Sequence, residues 1–526
     1  MDEDIGSTPF AAHWKRIGIR HHHGICTPLF SLRTKNSSGI GEYLDLLPLI
    51  DWCKSIKMDV IQLLPLNDAG DDPSPYNALS SCALHPLYLS LHALPELDKY
   101  PELRTKLDDL QKLNESQRVA FQDVQSHKLV WLRDYFTLAG DSVLNTKEYL
   151  AFKESQPWLK RYALFRVIKD LVSKNHWMSW PQELQTPTEE GVEELLNRYS
   201  QEVSFYYLLQ YLCFQQMHQA KTYANSQGIF IKGDMPFLIS PDSVDVWEFP
   251  QYFDLSLAAG APPDFYNKEG QYWGFPIFKW DVIQADDYQW FKRRLDYCSE
   301  LYDLYRIDHV LGFFRIWAIP LERPSKEGHY IPEDQSVWEQ QASAIFSMLA
   351  KSSTILPIAE DLGVTSDLVR ATLKKFGICG TKVMRWERAW ETDGHFIPID
   401  AYPPMSMTTV STHDSETLAL WWRDLPKEAR DYAQYKKWRY IPLLSAEQRQ
   451  SILWDSHHTS SLFHIDLLQE YLALFPDLVW EDPEDERINI PGKVLPTNWT
   501  YRFRPSVEEI AAHEPLRKKM AELLSK

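Results

Sequence analysis

Residues 304–319 read LYRIDHVLGFFRIWAI. Leu304–Val310 reads as a short apolar strand, with Arg306, Asp308 and His309 at its end. Side chains alternate along a strand, so Arg306 and Asp308 share one face. A guanidinium favours the ionised form of a carboxyl beside it, which a nucleophilic or charge-stabilising acid needs. Taken alone, the Arg-Ile-Asp-His run reads first as an ion pair tying strands together. Its meaning depends on what the rest of the chain brings to the same place.

Working outward, similar apolar runs recur with helical sequence between them. The first is Gly24–Ser31, followed by a helix over Glu42–Lys57 with Leu46, Leu49, Ile50 and Cys53 at helical spacing. The others are Asp59–Leu66, Gly228–Pro236, Leu304–Val310, Thr354–Leu362, Gly380–Trp386 and Thr408–Asp414. Helices are expected over Tyr288–Tyr302, Ser336–Ala350, Trp421–Leu444 and Ala446–Leu474. For the eighth strand the candidates are Leu478–Trp480 and Arg487–Ile490. Strand–helix alternation of this kind gives a parallel sheet, and eight units predict a closed α/β (β/α)8 TIM barrel with its site at the C-terminal strand ends. The rival, an open doubly wound sheet, lacks a Gly-rich nucleotide turn after the first strand.

The predicted organisation is one barrel over 14–526, with a mostly helical insertion at 91–225 between strands two and three and a loose leader at 1–13. Residues 249–280 read as a long aromatic loop. The chain has 526 residues, 44% hydrophobic and 24% charged, ordinary values for a globular protein. A formal net charge of −18 excludes a nucleic-acid or anionic-membrane partner and suits a neutral substrate. Twenty Trp residues serve a large aromatic core, sugar-stacking platforms, or both. The six cysteines form no CxxC pair and read as reduced core thiols. The acidic start, MDEDIGSTPFAAHW, has no apolar signal core, so a cytoplasmic location is expected. The run His21-His22-His23 sends successive side chains in different directions, which argues against a metal site.

Carboxylates mark the ends of the predicted strands: Asp234, Asp308, Glu360 and Asp414, with Tyr76 in the loop after the second. Glu360 emerges from the apolar run ILPIA; desolvation there pushes a carboxyl toward what a general acid needs. Each has a structural alternative, such as capping the next helix. Paired carboxylates, an Arg beside one of them and a Trp- and Tyr-rich segment together suggest glycoside chemistry.

The stretches SPYNALSSCALHPLYL (74–89), GDMPF (233–237), APPDFYNKEGQYWGFP (261–276), RIDHVLGFFRIWAIP (306–320), IAEDLGV (358–364), STHDSET (411–417) and RINIPGKVLPTNW (487–499) run in the order seen in the 4-α-glucanotransferases of glycoside hydrolase family 77, the amylomaltases and disproportionating enzymes, which this chain resembles. The resemblance implies a retaining transferase that moves α-1,4-glucan segments from a donor to the 4-OH of glucose or a malto-oligosaccharide, with no cofactor and no metal. It implies Asp308 as nucleophile, Glu360 as acid/base and Asp414 as the third carboxylate, gripping the donor sugar. Arg306, His413, Asp234 and Tyr76 would line the same site, Gln271 and Trp273 would belong to a lid over bound glucan, and Asn489 would lie toward the acceptor. Two departures, WGFP at 273–276 for the usual WGNP and Arg385-Trp386-Glu387-Arg388 for a QFAF-like segment, fall near the lid and the acceptor. The nearest rival is an α-amylase-like hydrolase with water as acceptor; a more distant one is a non-catalytic glucan-binding barrel.

Overall fold

The computed structural model describes residues 5–172, 175–263, 268–363 and 365–525. Twelve strands occur among them: β1 (His22–Thr27), β2 (Val60–Leu63), β3 (Phe230–Met235), β4 (Phe253–Ala261), β5 (Gln271–Phe278), β6 (Leu304–Ile307), β7 (Ile316–Pro320), β8 (His329–Ile331), β9 (Leu356–Ala359), β10 (Gly380–Val383), β11 (Ser406–Thr409) and β12 (Phe463–Leu467). Eight of them pair in parallel, in the order β10-β11-β12-β1-β2-β3-β6-β9. A parallel bridge between Ile358 and Cys379, with the Ala359 N–H donating to the Cys379 carbonyl at 2.7 Å, closes the ring from β9 to β10. The expected (β/α)8 barrel is therefore the fold. Strands β2, β6, β9, β10 and β11 are buried at every position, which is why each reads as a short run with little alternation.

Seven barrel strands overlap the predicted runs, β11 only at Thr408 and Thr409, and the eighth does not lie where it was expected. It is β12, inside the stretch read as a helix over Ala446–Leu474; that helix stops at His457. Neither Leu478–Trp480 nor Arg487–Ile490 is a strand. Buried His464 and Asp466 hide β12 from an apolar-run reading, and the helix Leu468–Leu472 follows with no break. The barrel interior satisfies them: Asp466 accepts from the Val410 N–H at 2.7 Å and the Ser456 hydroxyl at 2.9 Å.

The aromatic loop at 249–280 is also more ordered than expected. β4 and β5 pair antiparallel, and with β7 and β8 they form a second sheet in the order β5-β4-β7-β8. The opening stretch 304–319 thus supplies strands to both sheets, a barrel strand up to Ile307 and a strand of the small sheet from Ile316.

The leader is packed rather than loose over its described part. Ile5 and Phe10 are buried, the Phe10 N–H donates to the Phe376 carbonyl, and the helix Ala11–Ile17 runs through the expected boundary at 14. His21 and His23 stack against His464, and His23 also meets His457, at the N-terminal ends of β1 and β12 and away from the strand ends that carry the carboxylates.

Between β2 and β3 the chain is helical, including Phe121–Leu144, Leu159–Leu171 and Ser200–Ser226. The insertion is tied to the barrel by charge as well as packing. Lys128 donates to Glu42 at 2.6 Å, and both side chains are fully buried. Burial pushes the Glu42 carboxyl up to about 7 against the pull of Lys128. Removing one partner of such a pair leaves an uncompensated charge. Lys128→Ala is expected to cost about 3–5 kcal/mol near pH 8 in denaturant melts. The loss should be smaller near ~pH 6, where Glu42 can take a proton instead.

Candidate active site

The site is built around one guanidinium. Asp234 on β3 and Arg306 on β6 are register partners, so their side chains emerge side by side at the C-terminal end of the barrel. Arg306, 9% exposed, donates from Nη1 to both Asp234 oxygens at 3.1 and 3.0 Å. The same nitrogen lies 2.8 Å from Asp308 Oδ1, and Nη2 lies 3.8 Å from Glu360 Oε2. Three carboxylates from three strand ends thus meet one cation.

Local backbone geometry sets this up. Gly233 passes close over Tyr302; a Cβ at that position would lie 2.6 Å from the Tyr302 ring, so this end of β3 needs glycine there. His309 adopts a left-handed backbone (φ 43°), and its N–H donates to Glu360 Oε2 at 2.9 Å. The Leu362 N–H donates to Glu360 Oε1 at 2.9 Å. Among the described residues Glu360 is held by two backbone donors and no side-chain hydrogen bond, with its carboxyl beside Asp308's cation.

The remaining predicted residues arrive from other strand ends. The Tyr76 hydroxyl donates to Asp234 Oδ2 at 2.7 Å and lies 3.0 Å from His413 Nε2, and its ring stacks on His413 at 5.5 Å and 12°. His413 Nε2 is 3.2 Å from Asp414 Oδ2, and Asn489 donates to Asp414 Oδ1 at 2.7 Å. On β5, Trp273 donates to Gln271 at 3.1 Å and meets His309 edge-on at 4.9 Å. Part of the expected lid, 264–267, lies outside the described residues. All ten predicted residues therefore connect into one constellation. Asn489 enters it through its hydrogen bond to Asp414.

The carboxyls differ in proton affinity. Burial pushes Glu360 up to about 7; Asp308's charge adds to this and Arg306 opposes it. Burial also raises Asp234, with Arg306 pulling the other way. Burial would raise Asp414 too, but His413, Asn489 and Arg306 together overcome it and hold that carboxyl well below its usual range. His309 is lowered to about 4 by burial and is neutral near pH 7. The site can thus offer a protonated acid and an ionised carboxylate at the same pH. Among the described residues no group of three or more His, Cys, Asp or Glu could hold a metal ion.

A family model described as 4-alpha-glucanotransferase matches residues 27–508. Over 524 residues the chain is 45% identical to a 4-alpha-glucanotransferase of Chlamydia caviae, spanning 99% of this chain and 98% of that one. The chain belongs to the 4-alpha-glucanotransferase family. Another member, from Chlamydia pneumoniae, is 46% identical over 509 residues, 96% of each chain. The fold matches an amylomaltase of Streptococcus agalactiae solved in complex with acarbose, at TM-score 0.83 and 24% identity, over 96% of this chain and 99% of that one.

Several residues of this glucanotransferase site were not singled out from sequence. Trp499 packs its ring against both Tyr76 and His413, at 5.5 and 6.0 Å. Glu416 bridges Arg385 at 2.7 Å and Arg487 at 3.4 Å, which joins the loop after β10 to the segment that carries Asn489. Both lie in quoted stretches, PTNW and STHDSET, but a tryptophan after a turn and a second acid in a loop carry no periodicity that would mark them. The departure at Arg385–Arg388 is partly explained: Arg385 is buried and spent on Glu416, which fixes the Asp414 loop.

Proposed function

We propose that Asp308 and Glu360 carry a two-step, retaining transfer of α-1,4-glucan segments, with Asp414 gripping the donor sugar. Glu360 protonates the leaving glycosidic oxygen while Asp308 attacks C1, and the freed chain departs. Glu360 then takes the proton of an acceptor 4-hydroxyl, and the sugar moves from Asp308 to that oxygen with its α-configuration restored. The observation that carries this reading is the three-way contact of Arg306 with Asp234, Asp308 and Glu360, with Asp308 at one terminal nitrogen of the guanidinium and the protonatable Glu360 nearer the other. His413 and Asn489 keep Asp414 ionised for hydroxyl binding. Trp273 and Gln271 form the wall that favours a sugar over water as acceptor.

Family membership favours transfer over the hydrolase alternative. Incubation with maltotriose tests it. Transfer gives a ladder of longer oligosaccharides plus glucose, with total reducing ends unchanged; shortening alone, with reducing ends rising, supports hydrolysis. Six buried, unpaired thiols support a reducing, cytoplasmic setting, and among the described residues no helix is long and apolar enough to cross a membrane.

The acid role has a pH signature. The first step needs Glu360 protonated, so kcat/KM for the donor should fall as pH rises through about 7. Stability carries the same sign. The folded carboxyl binds its proton more tightly than the unfolded one, so the ionised side chain costs stability above about pH 7 and nothing below the unfolded value of 4.5. Glu360→Gln is expected to raise Tm near ~pH 8 and leave it unchanged near ~pH 4.

A further inference from the structure

The transfer chemistry uses no residue of the helical insertion, yet the insertion grips the loop that carries Tyr76. The neck of that loop is closed by its own backbone. Asn67 bridges Leu84, the Asp68 N–H donates to the Ala83 carbonyl at 2.8 Å, and the Leu79 N–H donates to the Asp68 carbonyl at 2.7 Å. Residues 69–78, with Tyr76 among them, arch out from this neck.

Three insertion helices hold the neck by side-chain hydrogen bonds. From Leu159–Leu171, Tyr162 donates its hydroxyl to Asp68 Oδ2 at 2.5 Å, and Arg166 donates from Nη1 to the same oxygen. From Phe121–Leu144, Gln125 donates to the Gly70 carbonyl at 3.1 Å and to Asp71 Oδ1, and Gln122 donates to the Asp71 carbonyl at 2.9 Å. From Ser200–Ser226, the Gln210 amide exchanges two hydrogen bonds with the Leu84 backbone, at 2.9 and 2.8 Å. Asp68, Tyr162 and Gln210 are fully buried, and Arg166 and Gln125 nearly so. Hydrogen bonds to a buried charge are strong, so Asp68 is a firm anchor.

A grip at the neck reaches Tyr76 because the arch is tied along its length. The Gly70 N–H donates to Asp68 Oδ1 at 2.9 Å, and the Asp72 N–H donates to the Ala69 carbonyl at 3.2 Å. The Asp72 carboxylate then accepts from the Ser74 N–H and from Asn77 Nδ2, both at 2.8 Å, and the Asn77 N–H donates to the Ser74 carbonyl at 3.2 Å. Tyr76 sits inside this last turn, with its hydroxyl on Asp234 and beside His413. A tilt at Asp68 is therefore passed on to the Tyr76 hydroxyl.

We propose that Gln125, Tyr162 and Arg166 are positioning residues, through which the helical insertion sets Tyr76 in the donor-sugar site. The inference rests on the reading of Tyr76 as part of that site. Gln125→Leu removes both of that side chain's bonds to the loop and keeps its bulk; Tyr162→Phe replaces it if the melting curve shows that it does not fold. A misplacement of ~1 Å costs up to ~100-fold in rate, so each variant should lower kcat/KM for maltotriose about 10-fold. In a Tyr76→Ala background the same change should have almost no effect, because the brace then has nothing to position. The pH profile gives a second readout. Burial raises the Asp234 carboxyl; Arg306, His413 and the Tyr76 hydroxyl pull it down, and Asp308 pushes it up. A loosened Tyr76 gives up its share, so the acidic limb of kcat/KM should move toward higher pH, as it should in Tyr76→Phe. Wild-type kcat/KM in a folded brace variant overturns the inference, as does an equal fall in the Tyr76→Ala background or an acidic limb that stays in place. Full kcat/KM in Tyr76→Ala itself overturns the donor-site reading of Tyr76, and the brace with it.

Discussion

Asp308→Asn should abolish transfer while leaving the fold in place. A lost nucleophile typically costs on the order of 10⁴-fold or more in kcat, because the residual site can only bind and polarise. The melting temperature should hold or rise, since Asp308 is one of three acids sharing a single cation. A second readout separates this from simple damage. Asp308's charge helps to push the Glu360 carboxyl up to about 7, so in the variant that carboxyl should titrate lower, visible in its infrared band. A third fixes the covalent step. Glu360→Gln incubated with an α-maltosyl fluoride, whose leaving group needs no proton, should accumulate a sugar adduct on Asp308 detectable by peptide mass, and the double variant should not. Undiminished turnover by Asp308→Asn, or an adduct on another residue, would sink the mechanism.

Arg306→Met should be the most damaging single change for stability and activity together. It leaves the buried Asp234 and the half-buried Asp308 and Glu360 around a missing cation. Breaking such a cluster costs about 3–5 kcal/mol at neutral pH. The deficit has a predictable slope. Arg306 is the pull that opposes burial at both Asp234 and Glu360, so without it both carboxyls rise and the folded variant binds more protons than the wild type. Its stability should therefore recover as pH falls toward 5, roughly, and worsen toward ~8. Arg306→Lys restores the charge but not the planar fork that serves three acids at once, and should recover stability more than kcat. Equal pH slopes for wild type and Arg306→Met would mean that the cation does not set these acids.

Much of this was readable because barrel strands end abruptly. Apolar runs such as LPIA and LYRI stop at a charged residue where the chain reaches the mouth, so Asp308 and Glu360 announce themselves. β12 was not readable for the opposite reason: its His464 and Asp466 are buried inside the protein, satisfied by distant partners such as Val410 and Ser456. The small sheet is hidden by Gly260, Gly274 and Pro276, which read as loop residues although β4 and β5 pair around register shifts that absorb them. Ile5 and Phe10 sit in a short polar context that hides them, and Phe10 docks on Phe376, far along the chain. Asn489's partner depends on a contact between residues 75 positions apart, which no local pattern encodes.

The order of pairing in the barrel has a consequence for how the protein is made. β2 pairs with β3, yet residues 64–229 lie between them, and β1 is covered on its other edge by β12, which begins at Phe463. At ribosomal speeds of about 5–20 residues per second, β2 waits on the order of 10 s for its neighbour, and β1 waits longer still for its second one. During that interval the hairpin-free pair β1–β2 presents two bare strand edges and an uncovered apolar face. The helical insertion, which carries Lys128 as the partner of Glu42 and whose helix Ser200–Ser226 leads straight into β3, is the first large element to emerge after β2.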